Sequence, residues 1–233
     1  MSHVHSAAER ERAAILGGLP PGHRSARSPI VFVVDEDTET REAVRALAEG
    51  IGLQVWAGSD AAAFLNEIPL ETPGCVVLGA RIGAVSALQL QQELVARNVH
   101  MPVIVAAAHA DVTLAVMALK AGAMDVIELP LLTQRIVPAI LRALAADLAW
   151  RASRLESDDI RLRFRRLTPR EREIVELVIK GQTSGIIAEQ LGIQEKTVEI
   201  HRSNINKKMR ARNAVELTKL MHSMGEPGHG TWH

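Results

Sequence analysis

The sequence predicts a two-part protein: a doubly wound α/β unit with a five-stranded parallel sheet, then a small all-α unit. Three observations carry this. Between Ile30 and about residue 133, five short apolar runs rich in β-branched residues alternate with helix-period segments. After residue 163 there are only helix-period segments, separated by Gly181 and Gly192. The charge also changes sign. Residues 30–150 hold 7 basic against 14 acidic side chains, whereas residues 151–233 hold 16 against 11, although the whole chain of 233 residues is formally neutral. An acidic unit followed by a basic one points to different partners, the second favouring a polyanion.

The strands are expected at Ile30–Val34, Leu53–Ala57, Cys75–Leu78, Val103–Val105 and Val126–Ile127, each too short for a helix. Between them, Thr38–Glu49 places Val44, Leu47 and Ile51 at helical spacing. Ser86–Arg97 does so with Leu90 and Leu94. Asp111–Ala121 opens on a capping acid and presents Leu114, Val116 and Leu119. Right-handed crossovers then place helices on both faces of a sheet with the flavodoxin-like order 2-1-3-4-5. Its ligand crevice lies at the carboxyl ends of strands one and three. Strand one ends in Asp35-Glu36-Asp37 and strand three in Gly79.

Composition narrows the function. Aromatic residues are 3% of the chain and Tyr is absent, which disfavours stacking platforms for single-stranded nucleic acid. The single Cys75 allows neither an internal disulfide nor a Cys-based zinc site, and in an apolar strand it reads as a small buried hydrophobe. His109, in the loop after strand four, has no second ligand nearby and reads as solvent-facing. No apolar stretch is long enough for a signal peptide or membrane span, so a cytoplasmic protein without membrane contact is expected.

The segment Gln134–Leu155 is a helix with Val137, Leu141, Leu144, Leu148 and Leu155 in an apolar stripe; it tolerates Pro138 only in its first turn. The stripe packs on the sheet, pairs with a second copy, or does both. The polar run from Glu156 to Arg166 follows as linker. Thr168-Pro169-Arg170-Glu171 then forms a capping box with Pro at the first helical position. Ile174, Leu177 and Val178 give that helix an apolar face, Gly181 ends it, and Thr183 or Ser184 caps a second helix carrying Ile187, Ala188 and Leu191. A third helix from about Glu195 to Met209 turns Val198, His201, Ile205 and Met209 inward. Lys196, Glu199, Ile200, Ser203, Asn206 and Lys207 therefore face outward, with Arg202 on the flank, a set suited to a major groove.

Two resemblances add to this. Val34-Asp35-Glu36-Asp37, Lys120-Ala121-Gly122-Ala123 and Glu128-Leu129-Pro130 resemble, in order and spacing, the receiver domain of bacterial response regulators over about residues 30–145. Leu167-Thr168-Pro169-Arg170-Glu171, Gly181, Ile187-Ala188, Leu191-Gly192-Ile193 and the run Glu195 to Ile205 resemble the LuxR/FixJ-type DNA-binding domain over about residues 163–222.

The first resemblance implies a phosphoryl-accepting Asp on strand three, with Mg²⁺ held by Asp35 and Glu36. In this chain the acceptor position falls on Gly79, the hydroxyl position on Ala107, the lysine position on Leu129 and the aromatic switch position on Val126. The expectation is a degenerate pocket that takes no phosphate and at most a weak Mg²⁺ contact at Asp35 and Glu36. Asp37 would replace the acceptor only if its loop reoriented.

The second resemblance implies a regulator bound to double-stranded DNA at an inverted-repeat operator, as a homodimer with contacts from a fourth helix near Ala214–His222. Lys196, Lys207, Lys208, Thr183 and Arg202 would grip phosphates and Glu199, Ile200 and Ser203 face base edges, with Ser184 and Thr197 also in the DNA-binding set. Ser184 and Gly185 stand where that family usually has Asn and Lys.

The expected organisation is a flexible segment at 1–29, a receiver-like domain at 30–133, a helical linker at 134–162, the helix-turn-helix domain at 163–224 and a flexible tail at 225–233. Neither catalysis nor a cofactor is expected. The alternative function is an adaptor whose receiver-like domain docks a sensor or partner protein that masks or releases the DNA-binding domain.

Overall fold

A computed structural model describes residues 28–68, 71–108 and 112–225. The expected flexible segments therefore lie largely outside the described residues, as do His109 and the capping Asp111. The chain divides into two compact units, the first ending at Arg151 and the second beginning at Ala152.

In the first unit, strand β1 (Ile30–Val34) is followed by α1 (Thr38–Gly50), β2 (Gln54–Gly58), α2 (Ala61–Glu67), β3 (Gly74–Gly79), and the two-residue strands β4 (Arg81–Ile82) and β5 (Val85–Ser86). Then come α3 (Ala87–Ala96), β6 (Val103–Ala107), α4 (Val112–Lys120), β7 (Asp125–Glu128) and α5 (Thr133–Arg165), whose residues from 152 onward belong to the second unit. The five longer strands form a parallel sheet in the order β2-β1-β3-β6-β7, so the doubly wound α/β architecture is present. Alternation of side chains about each strand divides the core into two layers. Val31 and Val33 point to α1 and the start of α5, where they meet Val44, Ala48, Ile136, Ile140 and Leu144. Phe32 and Val34 point the other way, to Phe64, Leu90, Leu94 and Ala118 of α2, α3 and α4. Each fully buried Leu or Ile here stabilises the fold by roughly 1.5–3 kcal/mol. Cys75 is buried in β3, and burial pushes its thiol far above the usual range, so it is an inert core side chain.

Strand β2 starts one residue later than the sequence predicts, because Leu53 donates its N–H to Ala48 O and closes the end of α1. Helix α2 and the β4–β5 ribbon were not predicted; α2 is capped by Asp60, which accepts from Ala62 N at 2.7 Å. The inward face expected for the fourth helix is corrected. In α4 only Ala118 is buried, while Val116 and Leu119 are exposed together with Val112 at 80% and Met117. Seven of the nine residues of that helix are apolar, so periodicity carries no direction.

Helix α5 also differs from expectation, continuing through the polar run 156–165. Within the second unit its Ile160 and Phe164 pack on the core, and Asp158–Arg161 and Asp159–Arg163 pair along its surface. Leu155, at the end of the expected apolar stripe, is 51% exposed. Pro138 sits in the second turn, where the helix tolerates it because the carbonyl deprived of a partner belongs to exposed Gln134. Near the end of the first unit, buried Asp147 Oδ2 accepts from Gly74 N at 2.9 Å and Arg151 Nε at 2.8 Å, and Arg151 Nη2 donates to Thr72 O. Burial nevertheless leaves the Asp147 carboxyl above its ordinary value.

The second unit adds α6 (Pro169–Ile179), α7 (Ser184–Leu191), α8 (Glu195–Met209) and α9 (Ala214–Gly225). Ile174, Val175, Ile187, Val198, Ile205, Met209 and Leu217 form its aliphatic core. His201 is only half-buried, at the edge of the inward stripe assigned to it.

Candidate functional site

The acidic turn after β1 is organised by backbone donors of the chain itself. Asp35 Oδ1 accepts from Asp37 N at 3.0 Å. Asp37 caps α1, taking the amides of Glu39 and Thr40 and the Thr40 hydroxyl at 2.6 Å. Glu36 Oε2 accepts from Gly83 N at 3.0 Å, beyond the strand that Gly79 ends. Arg41, which the sequence did not single out, donates to the carbonyls of Asp35 and Glu36 at 2.8 and 3.0 Å. Burial raises the Asp35 carboxyl above its ordinary value, against the Asp37 amide. Asp37 moves down, held by the Thr40 hydroxyl and then its amide.

Gly79 lies directly beneath Asp35. A Cβ at this position would lie 2.4 Å from Asp35 Cγ and 2.5 and 2.7 Å from its carboxylate oxygens, so the acid fills the space a side chain would need. Ala107 is buried at the end of β6, and its carbonyl accepts from Leu129 N at 2.8 Å. Val126 packs with the layer of α2, α3 and α4, whereas Leu129 packs with the layer of α1 and α5. Among these positions Asp35 and Gly79 lie against each other, and Val126 and Leu129 belong to different layers of the core. A divalent cation needs several convergent oxygens; Asp35 and Glu36 each have one carboxylate oxygen engaged by a backbone amide, and Gly79 brings no side-chain oxygen.

In the second unit, Thr168 and Glu171 close the expected capping box: Glu171 Oε2 accepts from Thr168 N at 2.7 Å, and Thr168 Oγ1 from Glu171 N. Glu171 is buried, and Lys208 Nζ donates to both its oxygens at 2.7 and 2.9 Å. Burial works to raise its pKa, but the Lys208 ammonium and the Thr168 amide outweigh that and hold it below the usual range. Lys208 is therefore turned toward the scaffold helix α6, a partner different from the phosphate assigned to it. The charge partners of this pair lie 37 residues apart, which no local spacing reveals.

Thr183 caps α7 through Ile186 N, and Gly192, in the left-handed region at φ 62°, ends it and turns the chain into α8. Val198, Ile205 and Met209 are fully buried, so the rotation of α8 is fixed by its core face. Lys196, Glu199, Ser203 and Lys207 are exposed on the other side, with Ile200 at 55%. Thr197 is half-buried in the first turn, where its N–H donates to Gln194 O. Arg202 is half-buried on the flank and donates through Nη1 to Ser184 Oγ at 3.3 Å. Ser184, Glu199, Arg202, Ser203, Asn206, Lys207 and Ala211 line an open depression of about 460 Å³. Of these, Ala211 had no signal in the sequence. The surface combines two cations, an acid, hydroxyls and an amide, with the exposed apolar Ile200 nearby. These are the groups that meet phosphates, base edges and thymine methyls.

Residues 31–141 match the family "Response regulator receiver domain", and residues 165–221 the family "Bacterial regulatory proteins, luxR family". Nodulation protein W of Bradyrhizobium diazoefficiens is 33% identical over 205 residues, covering 88% of this chain and 90% of that protein. The transcriptional regulatory protein FixJ of Azorhizobium caulinodans is 38% identical over 191 residues, covering 82% and 90%. Among solved structures, the response regulator StyR matches with a TM-score of 0.73 at 35% identity, covering 84% of this chain and 99% of that one. Full-length FixJ from B. japonicum matches with a TM-score of 0.53 at 32% identity, covering 86% and 98%. The chain belongs to the FixJ-like response regulators, transcription regulators that join a receiver domain to a LuxR-type DNA-binding domain.

Proposed function

We propose that this regulator binds an inverted-repeat operator as a homodimer through the outward face of α8, and that its receiver works without forming an acyl phosphate. The observation that carries the second half is the contact of Asp35 with Gly79. An acyl phosphate needs a carboxylate at the end of β3, and that space is taken by a neighbouring acid. Ala107 and Leu129 supply neither hydroxyl nor ammonium to hold phosphoryl oxygens. Asp37 is an unsuitable substitute acceptor, because its oxygens cap α1.

On the DNA, Lys196, Lys207, Thr183 and Arg202 set the register on phosphates while Glu199, Ile200 and Ser203 meet base edges, and half-sites lie about one helical turn apart. Dimer contacts are supported by α9, which exposes Val215, and by the apolar surface of α4. The organisation proposed is a receiver over 30–133, a helical linker over 134–162 and a reader over 163–224, in the cytoplasm; no helix among the described residues is long and apolar enough to cross a membrane.

The same α4 surface favours a second reading. Val112, Val116, Met117 and Leu119 form a face suited to docking a sensor or regulatory protein that masks or releases the reader.

The test combines selection of bound duplexes from a random pool with acetyl-phosphate labelling. Recovery of a palindromic site, with no hydroxylamine-sensitive label on the protein, is expected. A stable acyl-phosphate label, or no retained duplex, overturns the corresponding half.

A further inference from the structure

Thr183 already caps α7, which leaves the Ser184 hydroxyl without a capping role. That hydroxyl accepts instead from Arg202 Nη1, reaching across from α8 at 3.3 Å. Arg202 forms no ion pair among the described residues. Its guanidinium is thus held by a neutral partner that restrains it without cancelling its charge; a guanidinium has five donors in a rigid fork, so donors remain for a ligand, and Arg202 lines the open depression. Lys208, six residues further along α8, is tied to Glu171. Gly185, next in the chain, has no side chain to offer a phosphate.

We infer that Ser184 is a positioning residue: it holds Arg202 at the start of α7 so that the guanidinium meets a DNA backbone phosphate there, replacing a contact that the residues at 184 and 185 do not make themselves. This rests on the proposed DNA-binding face. A long side chain free in solution loses rotamer freedom when it binds; one already restrained loses less, which makes the Ser184 contact worth about three- to tenfold in affinity. Because the contact is to phosphate, the gain applies to every sequence alike.

The experiment measures binding of full-length protein to a random-sequence duplex and to the best selected duplex, across a range of salt concentrations. Arg202→Ala should weaken both and lower the slope of log affinity against log salt by about one unit. Ser184→Ala should weaken both about three- to tenfold with the slope unchanged, because the charge remains. Ser184→Thr, which keeps the hydroxyl, should restore affinity, and Ser184→Ala should add nothing in an Arg202→Ala background. Equal thermal unfolding of the variants excludes a folding defect. Additive losses at the two positions, an effect on the selected duplex alone, or full affinity for Ser184→Ala would overturn the inference. Failure of the unmodified protein to retain either duplex would overturn the DNA-binding reading itself, and with it this one.

Discussion

The turn after β1 and the outward face of α8 are both crowded with polar groups, yet they differ in where their partners lie. In the turn, Asp35, Glu36 and Asp37 each accept an amide of the same unit, and Arg41 binds two of its carbonyls. On α8, Glu199, Ser203 and Lys207 stand exposed, and the side-chain partner of Arg202 among the described residues is a neutral hydroxyl. A charged cluster whose bonds close within its own chain stabilises that chain. One that leaves charge uncompensated at a surface is equipped for a ligand of opposite charge. Density of charge in the sequence does not separate the two cases; the direction of the hydrogen bonds does.

The largest expected effect tests the open face. Arg202→Ala combined with Lys207→Ala should weaken binding to all duplexes alike and lower the salt slope by about two units. Unchanged binding, measured by fluorescence anisotropy, would move the reader away from α8.

The closed turn is tested by Gly79→Asp. This substitution should give no stable Mg²⁺-dependent label from acetyl phosphate. It should also destabilise the first unit by about 1–3 kcal/mol in denaturant unfolding, because the new side chain displaces Asp35. Asp35→Ala in the same chain should recover part of that loss. A stable label, or a Gly79→Asp protein as stable as the parent, would show that the turn is open after all.

Acid should act in opposite directions on the contributions of Glu171 and Asp35. Glu171, held below its ordinary value of 4.5, contributes stability to the second unit that is present above that value and lost as pH falls through its lower folded value. Asp35, raised above 3.8 by burial, acts with the opposite sign: its contribution is fully present below 3.8 and lost as pH rises through its raised folded value. Hydrogen exchange at the core amides of each unit reads the two trends. Glu171→Gln should flatten the acid loss in the second, and Asp35→Asn the trend in the first; curves unaltered by both variants would refute these assignments.

The smallest effect sharpens the contrast at one residue. A Cβ at Gly185 would lie in ordinary contact, 3.7 Å from Glu195 Oε1, so the position accepts a side chain. Gly185→Lys should strengthen binding a few-fold and steepen the salt slope by up to one unit. A flatter slope would place position 185 away from the DNA backbone.

Much of this molecule is legible in its sequence. The strand positions, the Thr168–Glu171 capping box, the Gly192 turn and the bounds of α8 follow from local pattern, and local pattern decides them in the structure. The rotation of α8 follows from Val198, Ile205 and Met209, which exposes Ile200 and Ser203. What is not legible depends on neighbours remote in sequence. Helix α4, apolar nearly all round, has its buried side chosen by the sheet beneath it. The polar run of α5 becomes helical because Ile160 and Phe164 find a core to enter. The contact of Asp35 with Gly79 joins two strands, and those of Lys208 with Glu171 and Arg202 with Ser184 join two helices, at separations where no spacing rule operates.

The Glu171 carboxylate has a double attachment with mechanical meaning. It closes the amino end of α6 and, through Lys208, grips the carboxyl end of α8. Fraying at the last turn of α8 would remove the Lys208 partner of the carboxylate that closes the first turn of α6. The carboxylate thus ties two helix termini that lie far apart in the sequence.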